Sequence, residues 1–386
     1  MRFDHQVTPA APQVPLSSPD IGQAEIDAVT AVLRTPQLSL GPELPAFEAA
    51  LAAYHSVPDA VAVSSGTAGL HLALLTLGIG EGDQVILPSF TFVAVANAVL
   101  QVRATPVFAE IDPVTLNLDP GSVERAVTPR TRAILAVHTF GVPAQMNEIL
   151  DIVRRHHLLL IEDACEAIGA EFDGRRAGSF GDLAVLGFYP NKQLTTGEGG
   201  AVLARDPAHA VRLRCLRNQG RQPSGQWLDH AEVGYNYRLS ELACALGRVQ
   251  LDRIGAMLAL RQAAAARYDA LLRGVPALLP DLELPPLELP RRSISWFVYV
   301  VRLPRQADRG RVQAALARRG IATGRYFAPI HLQPAWLAHP SARAAALPLT
   351  ESIARRTLAL PFFNRIAINQ QEEVAAALRE AIASQS

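Results

Sequence analysis

The sequence predicts an α/β fold, with helices covering both faces of a mostly parallel seven-stranded sheet, followed by a smaller C-terminal α+β unit. Two observations predict it. From residue 60 to about 205, short β-branched runs alternate with helix-length amphipathic segments, the pattern left by repeated strand–helix crossovers. Beyond that region a proline-rich stretch precedes a remainder with its own strand and helices, so the 386 residues divide into a large unit, 1–250, and a smaller one, 251–386.

The strands, in order, are AVAV (60–63), QVIL (84–87), TPVF (105–108), AILAV (133–137), LLLI (158–161), LAVLGF (183–188) and AVLA (201–204). Between them Thr67–Leu77, Phe92–Leu100, Ser122–Val127 and Met146–His156 carry helical spacing, several with a Ser, Thr or Asn near the start as a cap. One long helical stretch, Leu239–Leu272, closes the large unit, and LLPDLELPPLELPRR (278–292) crosses into the second. There SWFVYVVRL (295–303) reads as a strand, RGRVQAALARRG (309–320) as a helix, and a last helix starts at Gln370. Sheets of this kind bind ligands beyond the carboxyl ends of their strands.

Composition removes several function classes. The 36 basic and 36 acidic side chains balance, so no net field draws the molecule to nucleic acid or an anionic membrane, and a small-molecule substrate fits better. Cys165, Cys215 and Cys244 are odd in number and form no CxxC pair or metal-ligand cluster, which points to reduced thiols in the cytosol and to no bound metal. The uncharged runs 60–80 and 84–102 are long enough to span a bilayer, but Ser64–Gly69 and Pro88–Thr91 interrupt them. The first twenty residues lack the apolar core of a secretion signal and read as an irregular, proline-bearing arm.

Four segments carry candidate chemistry. In NKQLTTGEGG (191–200) Lys192 stands beside small, flexible residues that let backbone approach a flat ligand, although such a lysine also suits a solvated loop. In IEDACE (161–166) Asp163 ends an apolar strand, a costly place for a carboxylate without a cation. A protonated pyridine nitrogen is one such cation, and at about 4 Å and an effective dielectric near 20 the pair is worth roughly 4 kcal/mol before desolvation. The alternative is a helix cap, with Glu166 three residues on as in a capping box. SSGTAG (64–69) runs from strand into helix, which makes either a phosphate cradle of free amides or a capped helix start. In PSFTFV (88–93) Phe92 follows another strand, placed to lie on a planar ring or to fill core.

Taken in order, SSGTAGLHLALLTLGIGEGDQVILPSFTFVAVANAV, IEDACEAIGAEFDGRRAGSFGD, FYPNKQLTTGEGGAV, RNQGR and GYNYRLSELACALG resemble the DegT/StrS-type aminotransferases, from about Pro19 to His331–Pro334. The resemblance implies a fold-type I pyridoxal-phosphate enzyme acting on a nucleotide-linked keto-sugar, with L-glutamate as amino donor. It makes Lys192 the residue that holds the cofactor as a Schiff base and Asp163 the partner of its ring nitrogen. Gly66 and Thr67 would hold the phosphate, Phe92 would stack on the ring, and Glu166 would stand next to the cofactor. Asn236 would reach the phosphate from the neighbouring subunit, which implies an obligate homodimer with shared sites, while Tyr326 and His331 would line the substrate side. Three positions depart from the pattern: Gly187 where many relatives have a phosphate-binding serine, Glu166 where glutamine is common, and Gln145 where aspartate is frequent. A dehydratase branch of the family carries histidine in place of the lysine, so Lys192 speaks against it. A regulatory protein that keeps the cofactor without turnover is the other alternative.

Overall fold

The computed structural model describes residues 13–222, 229–273 and 281–385. The seven strands expected from the sequence form one sheet: β1 (Asp59–Val63), β2 (Gln84–Pro88), β3 (Thr105–Ala109), β4 (Thr131–Val137), β5 (Leu159–Asp163) and, after two two-residue strands β6 (Glu171–Phe172) and β7 (Arg175–Arg176), β8 (Leu183–Gly187) and β9 (Gly200–Ala204). The spatial order is β1-β9-β8-β5-β4-β2-β3. Only β9 runs against the others, pairing antiparallel with β1 and β8. Its first residue, Gly200, therefore lies at the edge where β1, β2, β5 and β8 end.

Apolar clusters cover both faces of the sheet. One packs Val63, Val85, Leu135 and Val185 against Leu72 and Val99 of two crossover helices. Another sets Ala62, Leu186 and Leu203 against Phe47 and Leu51 of a helix that precedes the sheet. The fit at the strand ends is close. A Cβ on Gly200 would lie 2.7 Å from the Gly66 nitrogen and from the Leu186 carbonyl oxygen, and one on Gly69 would lie 2.8 Å from Val185 Cγ1. These glycines let the helix Gly66–Thr76 begin directly over the sheet edge.

Where the elements differ from expectation, local bonds explain it. The stretch 239–272 is two helices, Glu241–Asp252 and Ile254–Arg273; they break at Arg253, whose guanidinium pairs with Glu25 and Asp20. The helix expected at Ser122 starts at Pro120, because Asp119 caps it by accepting from the Ser122 amide at 2.7 Å. Towards the C-terminus β10 spans Arg292–Ser293 and pairs with β6, and β11 covers only Tyr299–Arg302, pairing with β12 (Thr357–Leu360). Residues 295 and 297 instead donate their amides to the carbonyls of Gly141 and Phe140. The last helix begins at Ile368.

A separate core gathers Tyr268, Trp296, Tyr299, Leu316, Phe362 and Leu378. The helix Ile254–Arg273 joins it to the sheet, with Met257 in one core and Ala264, Tyr268 and Leu272 in the other. Val14 also packs in this second core and bridges to Ile321, whereas Ile330 and Trp336 return to the sheet. Residues 1–12 of the expected irregular arm, and 278–280 of the proline-rich crossing, lie outside the described residues.

Candidate active site

A cavity of about 440 Å³ opens at the carboxyl edge of the sheet, lined among others by Gly66, Thr67, Phe92, Asp163, Glu166, Lys192 and Tyr326. Seven of the nine residues expected at a site thus share one space. The ends of β1, β5 and β8 build its floor, and Phe297, Tyr326 and Phe327 from the second half of the chain close one side.

Lys192 sits in the loop joining β8 to β9. Thr196 donates its amide to the Phe188 carbonyl at 3.0 Å, Thr195 adds its hydroxyl at 3.0 Å, and Gly197 turns the chain at φ +81°. The loop thereby folds back on itself and presents Lys192 to the cavity. Its Nζ lies 3.4 Å from Glu166 Oε1 and 3.9 Å above the centre of the Phe297 ring. It is also the only lysine in the chain, every other one of the 36 basic side chains being arginine. That count alone would have singled it out.

Asp163 ends β5, 8% exposed, and its Oδ1 accepts from the Cys165 amide at 3.0 Å. No helix follows it: residues 164–169 form turns. Glu166 does not close a capping box either, because its Oε2 accepts from the Phe140 amide at 2.9 Å. The helix-cap alternative is thereby removed. Among the described residues no cation forms an ion pair with Asp163. A buried carboxylate facing a cavity without its own cation is suited to a ligand that brings one.

Burial pushes the Glu166 carboxyl above its ordinary 4.5, and Lys192 and the Phe140 amide pull it only partly back. The folded state therefore holds that proton more tightly than the unfolded chain. The resulting stability is full below pH 4.5 and is lost as pH rises through the raised value. Glu166→Gln removes this step, so the melting temperature of the cofactor-free variant should fall less steeply above pH 4.5 than that of the parent, as scanning calorimetry at several pH values would read; equal slopes would contradict the assignment.

At the end of β1 Ser65 caps the helix Gly66–Thr76 by accepting from the Ala68 amide at 3.1 Å. The amides of Gly66 and Thr67 precede the first intrahelical bond and, with the helix dipole, are suited to an anion at the cavity floor. Gly187 borders it. A Cβ there would lie 3.1 Å from Cys165 Sγ, so the thiol fills the room in which a serine side chain would start. Burial and the Asp163 charge hold that thiol well above its usual range and hence protonated.

Phe92 is 62% exposed at the cavity mouth, which rules out the buried-core alternative and leaves its ring face available. Tyr326 packs flat near Phe297, at 6.2 Å between centroids, with its hydroxyl 3.5 Å from Asn191 Nδ2. Two expected residues lie elsewhere. His331 is buried outside the cavity lining, its Nδ1 2.7 Å from Ser89 Oγ. Its backbone amide also donates to Ser89 Oγ at 3.2 Å, which ties it to the segment after β2. Asn236 is exposed on a loop apart from this chain's own cavity. Gln145 stands at the N-cap of Met146–His156 without a side-chain cap bond, so replacing the frequent aspartate forgoes a cap.

Sequence reasoning missed Phe297, which lay inside an expected strand, and Arg261, which lay within the long helical stretch expected over Leu239–Leu272. Arg261 is 2% exposed; its Nη1 donates to the carbonyls of Trp296 (3.1 Å) and Phe297 (3.0 Å) and its Nη2 to that of Lys192 (3.3 Å). No local signal marks either residue.

The free helix amides, the unpaired carboxylate, the exposed aromatic face and the single lysine amine together fit pyridoxal phosphate, whose phosphate, ring nitrogen, ring and aldehyde they would meet. Comparison with known proteins agrees. The dTDP-3-amino-3,4,6-trideoxy-alpha-D-glucose transaminase of Streptomyces venezuelae is 42% identical over 361 residues, 93% of this chain and 92% of that one. The solved structure of S. venezuelae DesV in complex with a ketimine intermediate superposes with a TM-score of 0.87 at 40% identity, covering 96% of this chain and 98% of that chain. The PLP-form of Spr1654 from Streptococcus pneumoniae gives a TM-score of 0.90 at 25% identity, covering 97% and 99%. Residues 19–379 match the DegT/DnrJ/EryC1/StrS aminotransferase family, and the chain belongs to that family as a pyridoxal-phosphate-dependent aminotransferase.

Proposed function

We propose that this aminotransferase moves an amino group from L-glutamate onto the keto group of a nucleotide-linked sugar. The observation that carries the chemistry is that the only lysine and a buried, unpaired carboxylate line one cavity. The substrate class is supported by the 42% identical relative, named for an aminated dTDP-sugar. Bound there, pyridoxal phosphate supplies an aldehyde for the incoming amine and a ring that draws electrons from the reacting carbon. Lys192 Nζ, once released, takes and returns the proton at that carbon, which requires it neutral at that moment. Asp163 keeps the ring nitrogen protonated. Gly66 and Thr67 fix the phosphate, and Phe92 holds the ring flat. Phe297, Tyr326 and Phe327 keep water from the lysine side, and Tyr326 faces the substrate. A mass-spectrometric screen of keto-sugar nucleotides with glutamate tests the reading: it predicts a new amino-sugar nucleotide, and a screen in which glutamate is consumed but no sugar is aminated would overturn the substrate class.

In the same proposal the enzyme is a cytosolic homodimer, each chain divided near residue 250 into a large and a small domain. Three free cysteines suit a reducing compartment. Phe92 and Tyr189, both exposed at the open cavity mouth, suit coverage by a second copy whose Asn236 completes the phosphate site. Mixed dimers check this. Asn236→Ala and Lys192→Ala proteins, each weak or inactive alone, should regain activity when unfolded and refolded together, because one site of each mixed dimer receives both native residues; no recovery would argue for sites built from one chain.

A further inference from the structure

Arg261 does not itself line the cavity, yet it bonds to the backbone of two residues that do, Phe297 and Lys192. It is a buried guanidinium on the helix Ile254–Arg273, and among the described residues no carboxylate pairs with it. Its hydrogen bonds go instead to three backbone carbonyls, those of Trp296, Phe297 and Lys192. Burial pushes the guanidinium down only to about 10, so it remains charged at neutral pH.

The segment it grips is held against its own preference. Trp296 has φ +52°, a left-handed backbone that a bulky residue rarely adopts. Further bonds hold it there: the Ser295 amide to Gly141, the Phe297 amide to Phe140, the indole Nε1 to Gln262 Oε1 at 2.6 Å, and the carbonyl bonds from Arg261. The left-handed turn aims the next ring, Phe297, at the lysine, 3.9 Å from Nζ. One side chain thus fixes both the loop that bears the amine and the aromatic plate beneath it.

We propose that Arg261 is a positioning residue for Lys192, coupling the helix that leads into the second core to the angle at which the amine meets the cofactor aldehyde. The assignment rests on the reading of Lys192 given above. Arginine suits the task because its planar fork reaches carbonyls on two separate segments at once, which a lysine ammonium does not. Small losses of alignment at a reacting atom are costly, up to about 100-fold for a shift of about 1 Å.

The test titrates cofactor-free protein with pyridoxal phosphate, follows the absorbance of lysine-bound cofactor, and maps the borohydride-reduced product by mass spectrometry. Arg261→Met should slow bonding at Lys192 by about tenfold or more and raise the half-saturating cofactor concentration, with kcat lowered and the KM for the keto acceptor nearly unchanged. Arg261→Lys should recover part of the loss, the peptide map separating any bond at 261 from that at 192. A Met variant with a lower melting temperature but parental bonding rate and half-saturation would overturn the proposal and leave Arg261 a structural tie. If the Met variant does not fold, the Lys variant decides, since parental bonding by it would equally refute the need for the fork. Failure of the parent protein to bond cofactor at Lys192 would instead defeat the functional reading.

Discussion

Lys192→Ala should abolish both amino transfer and the visible absorbance of protein-bound cofactor, while leaving the cofactor-free fold intact. The expected loss of turnover is at least about a thousandfold, since a positioned acid–base group alone contributes about 10²–10⁴ and the covalent link is lost as well. No other side chain can substitute, because the variant contains no lysine at all. Stability should change little: Nζ makes one ion pair, with Glu166 at 3.4 Å, and lies on the face of Phe297. Single-turnover measurements with glutamate, alongside thermal melting, separate the two effects. A half-reaction at near-parental rate would refute the role of the lysine. Small exogenous amines should restore part of the proton transfer in the variant.

Asp163→Asn should cost about a thousandfold in kcat. A carboxylate at about 4 Å from a protonated ring nitrogen, at an effective dielectric near 20, is worth roughly 4 kcal/mol, and 1.36 kcal/mol corresponds to tenfold in rate. The amide keeps the shape and can still accept the Cys165 amide that Oδ1 accepts at 3.0 Å, so the cofactor should still bond to Lys192. The affinity for the keto acceptor should move far less than kcat, because the ring charge matters most when electrons leave the reacting carbon. Since Asp163 forms no ion pair with a cation among the described residues, neutralising it should leave the cofactor-free protein as stable as the parent or more so. Steady-state kinetics and melting of the two proteins check this. A variant within tenfold of parental kcat would place the ring nitrogen's partner elsewhere.

Much of this was legible in the sequence for a physical reason. Seven apolar runs separated by helical periods leave a mostly parallel sheet as the economical burial, and the four candidate segments follow strand ends or lie in the loop after one, which brings them to one edge. What periodicity does not encode is where a backbone turns for tertiary reasons. Arg253 breaks a continuous helical pattern through ion pairs with Glu25 and Asp20, residues more than two hundred positions away. Ser295 and Phe297 leave a strand-like run to bond with residues 141 and 140. His331 reads as a substrate contact by its motif, and no local pattern announces the bond between its ring and Ser89, more than two hundred positions away. Arg261 shows the same limit from the other side, since a charged residue on a helix is ordinarily solvated and only the packing reveals three carbonyls around it. The isolated status of Lys192 among 36 basic residues was, by contrast, open to simple counting.

That count makes the most direct measurement unusually clean. Incubating the parent protein with pyridoxal phosphate, reducing with borohydride and digesting for mass spectrometry should place one pyridoxyl group per chain on the peptide containing Lys192, with the label lost on prior addition of L-glutamate. Label found only on the N-terminal amine, or label at Lys192 that persists unchanged in the presence of amino donors, would contradict the account.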